Sequence, residues 1–148
     1  EVEWMDVLDS DGEIGKTITI RDKVSKGKNG GRIIPLNTEL RTALVNLYEI
    51  RRHFVNSNWK IIYSQSRNRV SANSLAVWFY SLYKDMGIDG ASSHSGRRTA
   101  ITRMAQKIST VGGSLKDVQE IAGHTNLSNT QRYIQGSELA KVKIVDLV

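Results

Sequence analysis

Four residues between positions 94 and 133 of this 148-residue chain have the types needed to hold and attack a phosphodiester. His94 and Arg97 stand in the run His-Ser-Gly-Arg. His124 follows a glycine, and Tyr133 comes nine residues after it. Transferring a phosphodiester without metal or nucleotide needs a nucleophile, fixed positive donors for the oxygens on which charge builds, and an acid for the leaving oxygen. Tyr133 is the candidate nucleophile. Its hydroxyl ordinarily titrates at roughly 10, so it needs activation by nearby cations or a base. Arg97 offers an always-charged planar fork suited to two phosphate oxygens. His94 precedes it by three residues, so one helix would turn both toward one site. His124 can donate to a phosphate oxygen. Singly these signals are weak: a lone Tyr is usually core, and a His after Gly often just complements a helix C-terminus. As an ordered set they are far more specific.

Short capped helices must carry these side chains. Residues 94–107 read as a helix with Ala100, Ile101 and Met104 inward, broken at 111–113. Ser114 and Asp117 form a capping box for a helix through Ala122, which Gly123 stops, leaving His124 at its C-terminus. Ser128 and Gln131 read as a second capping box, so Tyr133 falls on or just after a short helix. Upstream, residues 1–8 read as the tail of a helix with Val2, Met5 and Leu8 on one face, and Asp9, Asp11 and Gly12 as a turn. Residues 16–20 and 32–36 read as strands flanking a Lys-Gly-Lys-Asn-Gly-Gly tip, with Pro35 at an edge or strand end. Asn37 can cap a helix bearing Leu40, Leu44 and Leu47, with Phe54 following at near-helical spacing. Residues 60–64 read as a third strand, and 65–70 as a polar loop with Arg67 and Arg69. Ser71 is placed to cap a helix with Leu75, Trp78, Phe79, Leu82 and Met86 on one face, ended by Gly87. Residues 138–148 read as a last helix or strand. The predicted fold is mainly α with a small three-stranded antiparallel β-sheet, in one domain over 1–148.

Composition narrows the partner. The chain is 39% hydrophobic, enough for one core. Its net charge of +6 and pI near 9.7 point to a polyanion, most often nucleic acid. The lack of cysteine excludes disulfides and thiolate metal sites. No apolar run of about 18 residues suggests a membrane span, no signal peptide is read, and the chain neither needs nor excludes an oxidising compartment. The first residue is Glu, inside a helical pattern, and the chain is expected to be part of a longer protein.

Together these motifs resemble the catalytic domain of the tyrosine recombinases, the phage-integrase and Xer-type family, over nearly the whole chain. The family's lysine-bearing hairpin is similar to Ser25–Leu36, S-K-G-K-N-G-G-R-I-I-P-L. Its H-x-x-R box is similar to His94 and Arg97, and its L-G-H-like box to Ala122–His124, with Tyr133 at the family spacing. The resemblance implies site-specific DNA recombination by strand cleavage and rejoining. Tyr133 would attack DNA and become linked to a 3′ phosphate. Arg97 would clamp the phosphate, His94 would assist proton transfer or position the site, and His124 would hydrogen-bond the phosphate. A hairpin lysine would protonate the departing 5′ oxygen. Lys26 fits best by spacing, with Lys28 close behind because the turn is one residue longer than the family's. Lys28, Arg67, Arg69 and Arg132 are the further candidate DNA contacts.

Three departures stand out. Arg98 occupies the place of a second His in many members and is given no role in chemistry. The segment between the two boxes is longer than the family's by a few residues, an excess absorbed as a loop at 111–113. The family's other active-site Arg, in a box resembling G-x-R-x-S-E-L, is expected just before residue 1, and the N-terminal DNA-clamping domain is absent from the chain. The implied partners are double-stranded DNA and a homotetramer on paired sites, with the last segment exchanged between subunits. No cofactor or metal is expected, because energy stays in the phosphotyrosine bond. A type IB topoisomerase uses a similar constellation, but the compact hairpin disfavours it. A DNA-binding module without catalysis would not need the Tyr, the Arg and both His, and a plain helical interaction domain would leave their clustering unexplained.

Overall fold

The structure, a computed structural model, describes residues 2–21, 31–54, 56–63, 70–134 and 138–146. Its contacts divide the chain into two units, 1–71 and 72–148.

The first unit is built on Trp4. Residues 1–8 were expected to be helical; only a 3-10 turn, Trp4–Asp6, forms. The reason lies in where the amides go. The Trp4 and Met5 N–H groups donate to the carbonyls of Trp59 and Ser57, and the Glu3 N–H to the Asp6 carboxylate. The buried residues are accordingly Trp4, Asp6 and Val7, while Met5 faces solvent. The expected turn does form: the Asp9 carboxylate accepts from the Asp11 and Glu13 N–H groups, and Leu8 bridges to Ile14. β1 (Thr17–Ile20) and β2 (Arg32–Pro35) pair antiparallel, with Thr17 opposite Pro35 and Ile20 opposite Arg32. Pro35 thus ends its strand, where the missing N–H costs least.

Asn37 caps α1 (Thr38–Arg51), its Oδ1 accepting from the Leu40 N–H at 2.7 Å. Leu44 is buried from this helix, whereas Phe54 lies beyond it and is exposed. The third strand is a correction. Among the described residues of 60–64 there is a single bridge, Lys60 to Glu3. Extension stops where the Arg51 guanidinium takes the Ile61 carbonyl, so the described sheet has two strands. The core is Trp4, Val7, Ile14, Leu44 and Ile61, with the Tyr48 ring 5.1 Å from that of Trp4.

The second unit is helical. α2 (Ala72–Asp85) buries none of its residues: Trp78 is exposed, Phe79 and Leu82 are half-buried, and Met86, just past its end, is exposed. Its rings instead meet one another, Trp78 edge-on to Phe79 at 4.9 Å and Phe79 stacked on Tyr83 at 6.0 Å. α3 (Ser95–Lys107) runs into a 3-10 turn, Ile108–Val111. The turn ends at Gly112, whose φ of 76° is left-handed; a Cβ on the following Gly113 would meet the Ile108 side chain at 2.8 Å and force it to shift. α4 (Leu115–Ala122), α5 (Leu127–Gln131) and α6 (Glu138–Val145) follow. Ile101, Val118 and Ala122 form the core, with Met104, Ala105, Ile108 and Tyr133 packed on it; Ala100, expected inside, is exposed. On α6, Val142, Ile144 and Val145 are exposed. No described helix is long and apolar enough to cross a membrane.

Candidate active site

Three helix ends position the side chains. At the first, His94 is the N-cap of α3 rather than its first helical residue, and its ring makes no capping bond. Its carbonyl accepts from the Arg98 N–H, and Ser95 Oγ accepts from the Ser92 N–H. The His94 side chain is therefore exposed at the mouth of the helix. Arg97, one turn in, donates from Nη2 to the Ala122 carbonyl at 2.6 Å. That carbonyl belongs to the last turn of α4, where acceptors lack helical partners and a cation suits the dipole.

At the second, the Ser114–Asp117 capping box forms as the sequence predicts. Bonds from the Ser114 N–H and hydroxyl hold the Asp117 carboxyl below its ordinary range. α4 then ends at Gly123, whose φ of 67° is left-handed, a conformation that favours glycine. The Gly123 and His124 N–H groups donate back to the carbonyls of Glu120 and Gln119. Gln119 is itself buried, and its Nε2 donates to the His124 carbonyl at 2.9 Å.

At the third, α5 starts earlier than expected. Its cap is Asn126, not Ser128: the Asn126 backbone is extended and its Oδ1 accepts from the Ser128 N–H at 3.0 Å, so Ser128 is already helical. Tyr133 lies just past this helix, its N–H donating to the Thr130 carbonyl at 3.0 Å. The Tyr133 ring lies nearly parallel to that of His124, with centroids 5.9 Å apart and 17° between planes. His124 Nδ1 is 2.9 Å from the Oγ1 of Thr130.

The result is a cavity of about 370 Å³ lined by Arg98, His124, Asn129, Arg132 and Tyr133. Among the described residues, no carboxylate lines it. It offers two guanidinium groups, an imidazole and a phenol, which is a place for an anion beside a nucleophilic oxygen. The structure thus brings His124, Arg132 and Tyr133 to one cavity and ties Arg97 two residues from His124. His94 stands at the start of the same α3 and is not part of the lining. Lys26, Lys28, Arg67 and Arg69 lie outside the described residues. Sequence reasoning missed Arg98, which lines the cavity, and Asn129, Thr130 and Gln119. Thr130 had a legible signal: three residues before Tyr133, it shares that residue's side of a helical turn.

The helices and sheet have the fold of the tyrosine-recombinase catalytic domain. A crystal structure of XerA recombinase superposes with a TM-score of 0.66 at 21% identity, over 97% of this chain and 51% of that one. XerH site-specific recombinase, bound to its difH substrate before cleavage, does so at 0.70 and 19% identity, over 98% of this chain and 40% of that one. The model of the phage integrase family matches residues 1–139, and the chain belongs to that family. Tyrosine recombinase XerC of Corynebacterium glutamicum is 28% identical over 105 residues, 71% of this chain and 33% of that protein. The chain spans less than half the length of the curated relatives it matches.

Proposed function

We propose that this chain is the catalytic part of a longer site-specific DNA recombinase that cuts and rejoins strands through a 3′-phosphotyrosine. The observation that carries this is the pairing of Tyr133 with His124 in a cavity whose described lining is cationic and holds no carboxylate. The Tyr133 oxygen attacks phosphorus as the bond to the 5′ oxygen breaks. Arg97 and His124 donate to the non-bridging oxygens, which carry most charge in the transition state. Lys26 of the hairpin gives its proton to the departing 5′ oxygen, and His94 assists the proton leaving Tyr133. Attack by another strand's 5′ hydroxyl reverses the step, so neither metal nor nucleotide is consumed. Arg98 and Arg132 hold flanking phosphates, with Lys28, Arg67 and Arg69 as further DNA contacts. Duplex DNA as substrate is supported by family membership and by XerH bound to difH. A homotetramer on paired sites, in the cytoplasm, completes the reading, and the exposed apolar residues of α6 suit packing against a neighbouring subunit.

The test uses the full-length protein and a nicked trapping substrate, which prevents religation. Wild type accumulates a protein–DNA adduct. Tyr133→Phe loses it and keeps DNA binding. An adduct that persists in that variant would overturn the assignment.

A further inference from the structure

α4 closes on His124 with two backbone bonds. The Gly123 N–H donates to the Glu120 carbonyl and the His124 N–H to the Gln119 carbonyl, both at 3.1 Å. This is the usual closure by a left-handed glycine, in which the residue after the glycine commonly makes an apolar contact with the residue five before it. Here that earlier residue is Gln119, which is buried, and the contact is polar. Its Nε2 donates to the His124 carbonyl at 2.9 Å. The Lys116 ammonium, which can only donate, lies 3.4 Å from Gln119 Oε1, so the nitrogen of the amide is the end that faces the carbonyl. Burying an amide costs free energy that an apolar side chain would not, so the bond it makes is informative.

We propose that Gln119 is a positioning residue that fixes the direction in which the His124 side chain leaves the backbone. The proposal rests on the reading of His124 and Tyr133 given above. One residue bonds both backbone groups of His124: the Gln119 carbonyl accepts from its N–H, and the Gln119 amide donates to its carbonyl. The two peptide planes that flank the His124 Cα are therefore each anchored to the same turn of α4. With both planes held, the Cα–Cβ bond has one direction, because φ and ψ are the only soft angles between them. That direction brings the imidazole to the cavity, with its ring centre 5.9 Å from that of Tyr133. The clamp works on the backbone, so it makes no demand on the contacts of the ring. The backbone bond alone belongs to any helix closed in this way. The side-chain bond is what this sequence adds, and an apolar residue at 119 would close the helix without holding the His124 carbonyl.

Single-turnover cleavage of the nicked substrate by the full-length protein, measured across enzyme concentrations, tests this. Gln119→Met keeps the length of the side chain and removes the amide. It should lower the saturated rate by about 10- to 100-fold, the scale of a misplaced catalytic group, and leave the half-saturating concentration unchanged. A loss confined to half-saturation overturns the proposal. The decisive variant combines His124→Ala with Gln119→Met. Acting through the His124 side chain, the second change should cost nothing further; a general structural role gives additive losses and overturns the proposal. If Gln119→Met unfolds the protein, as circular dichroism would show, Gln119→Glu takes its place in both arms, because an ionised carboxylate keeps the shape and cannot donate. Wild-type cleavage by the variant at 119, with Tyr133→Phe inactive, refutes the proposal and leaves the functional reading standing. An adduct from Tyr133→Phe removes the reading and the proposal together.

Discussion

The two units use charge in opposite ways. In the first, Arg21 leaves the end of β1 and reaches Asp6 through Nε at 2.6 Å and Glu3 through Nη2 at 2.6 Å, while Lys60 meets the other Glu3 oxygen. Asp6 is buried, and the bonds from Lys60 and Arg21 pull the Glu3 carboxyl down from 4.5 to about 2. Each of these charges has an opposite one. In the second unit, Arg98 and Arg132 line a cavity with His124 and Tyr133, and among the described residues no carboxylate answers them there. Paired charges of the first kind hold a turn against a strand. Cations without a local counter-charge raise the energy of the free protein slightly and await an anion from outside. The contrast separates residues that build the molecule from those proposed to meet DNA.

Breaking a pair should hurt folding most. Asp6→Ala leaves Arg21 without its buried partner and should cost about 3 kcal/mol, the low end for a broken buried pair because Arg21 is partly exposed. Urea denaturation measures it. Adding Arg21→Met should recover much of the loss, since an apolar replacement removes the orphaned charge as well. A single substitution that leaves the midpoint unchanged would show that the cluster is ornamental.

The cavity cations should behave in reverse. Arg98→Gln combined with Arg132→Gln should change stability by no more than about 0.5 kcal/mol, as for ordinary surface substitutions. It should weaken DNA binding and lower the slope of log affinity against log salt by about 2, one phosphate for each arginine. An unaltered salt slope would place the duplex elsewhere.

The smallest effect is a pH dependence. Glu3 titrates lower in the folded state than in the unfolded chain, so its contribution is full above 4.5 and disappears as pH falls toward about 2. Glu3→Gln should flatten that part of the stability profile. Parallel profiles for the two proteins across this window would contradict the pairing.

How much of this was legible depended on the range of the interaction. The Asn37 cap, the Ser114–Asp117 box, the stop at Gly123 and the position of Tyr133 past a short helix are local, and each stands where the sequence put it. The failures were settled by distant partners. Residues 1–8 read as helix because Val2, Met5 and Leu8 have helical spacing, but the Trp4 and Met5 N–H groups donate to the carbonyls of Trp59 and Ser57 and Ile61 donates to the Val2 carbonyl. The third strand was curtailed by Arg51 from another element. The cap at Asn126 was local but ambiguous, since Asn and Ser two residues apart both cap well. Of the site, the identities of His124 and Tyr133 were visible, while the Thr130 and Arg98 contributions required knowing which side chains the helix ends bring together.

The central claim is that the second unit presents Tyr133 as the nucleophile. The most direct measurement digests the trapped protein–DNA adduct with trypsin and finds, by mass spectrometry, which peptide carries the nucleotide. The account predicts the peptide containing Tyr133, with the phosphate on its phenolic oxygen. A nucleotide on Tyr80, Tyr83 or any other tyrosine would contradict it.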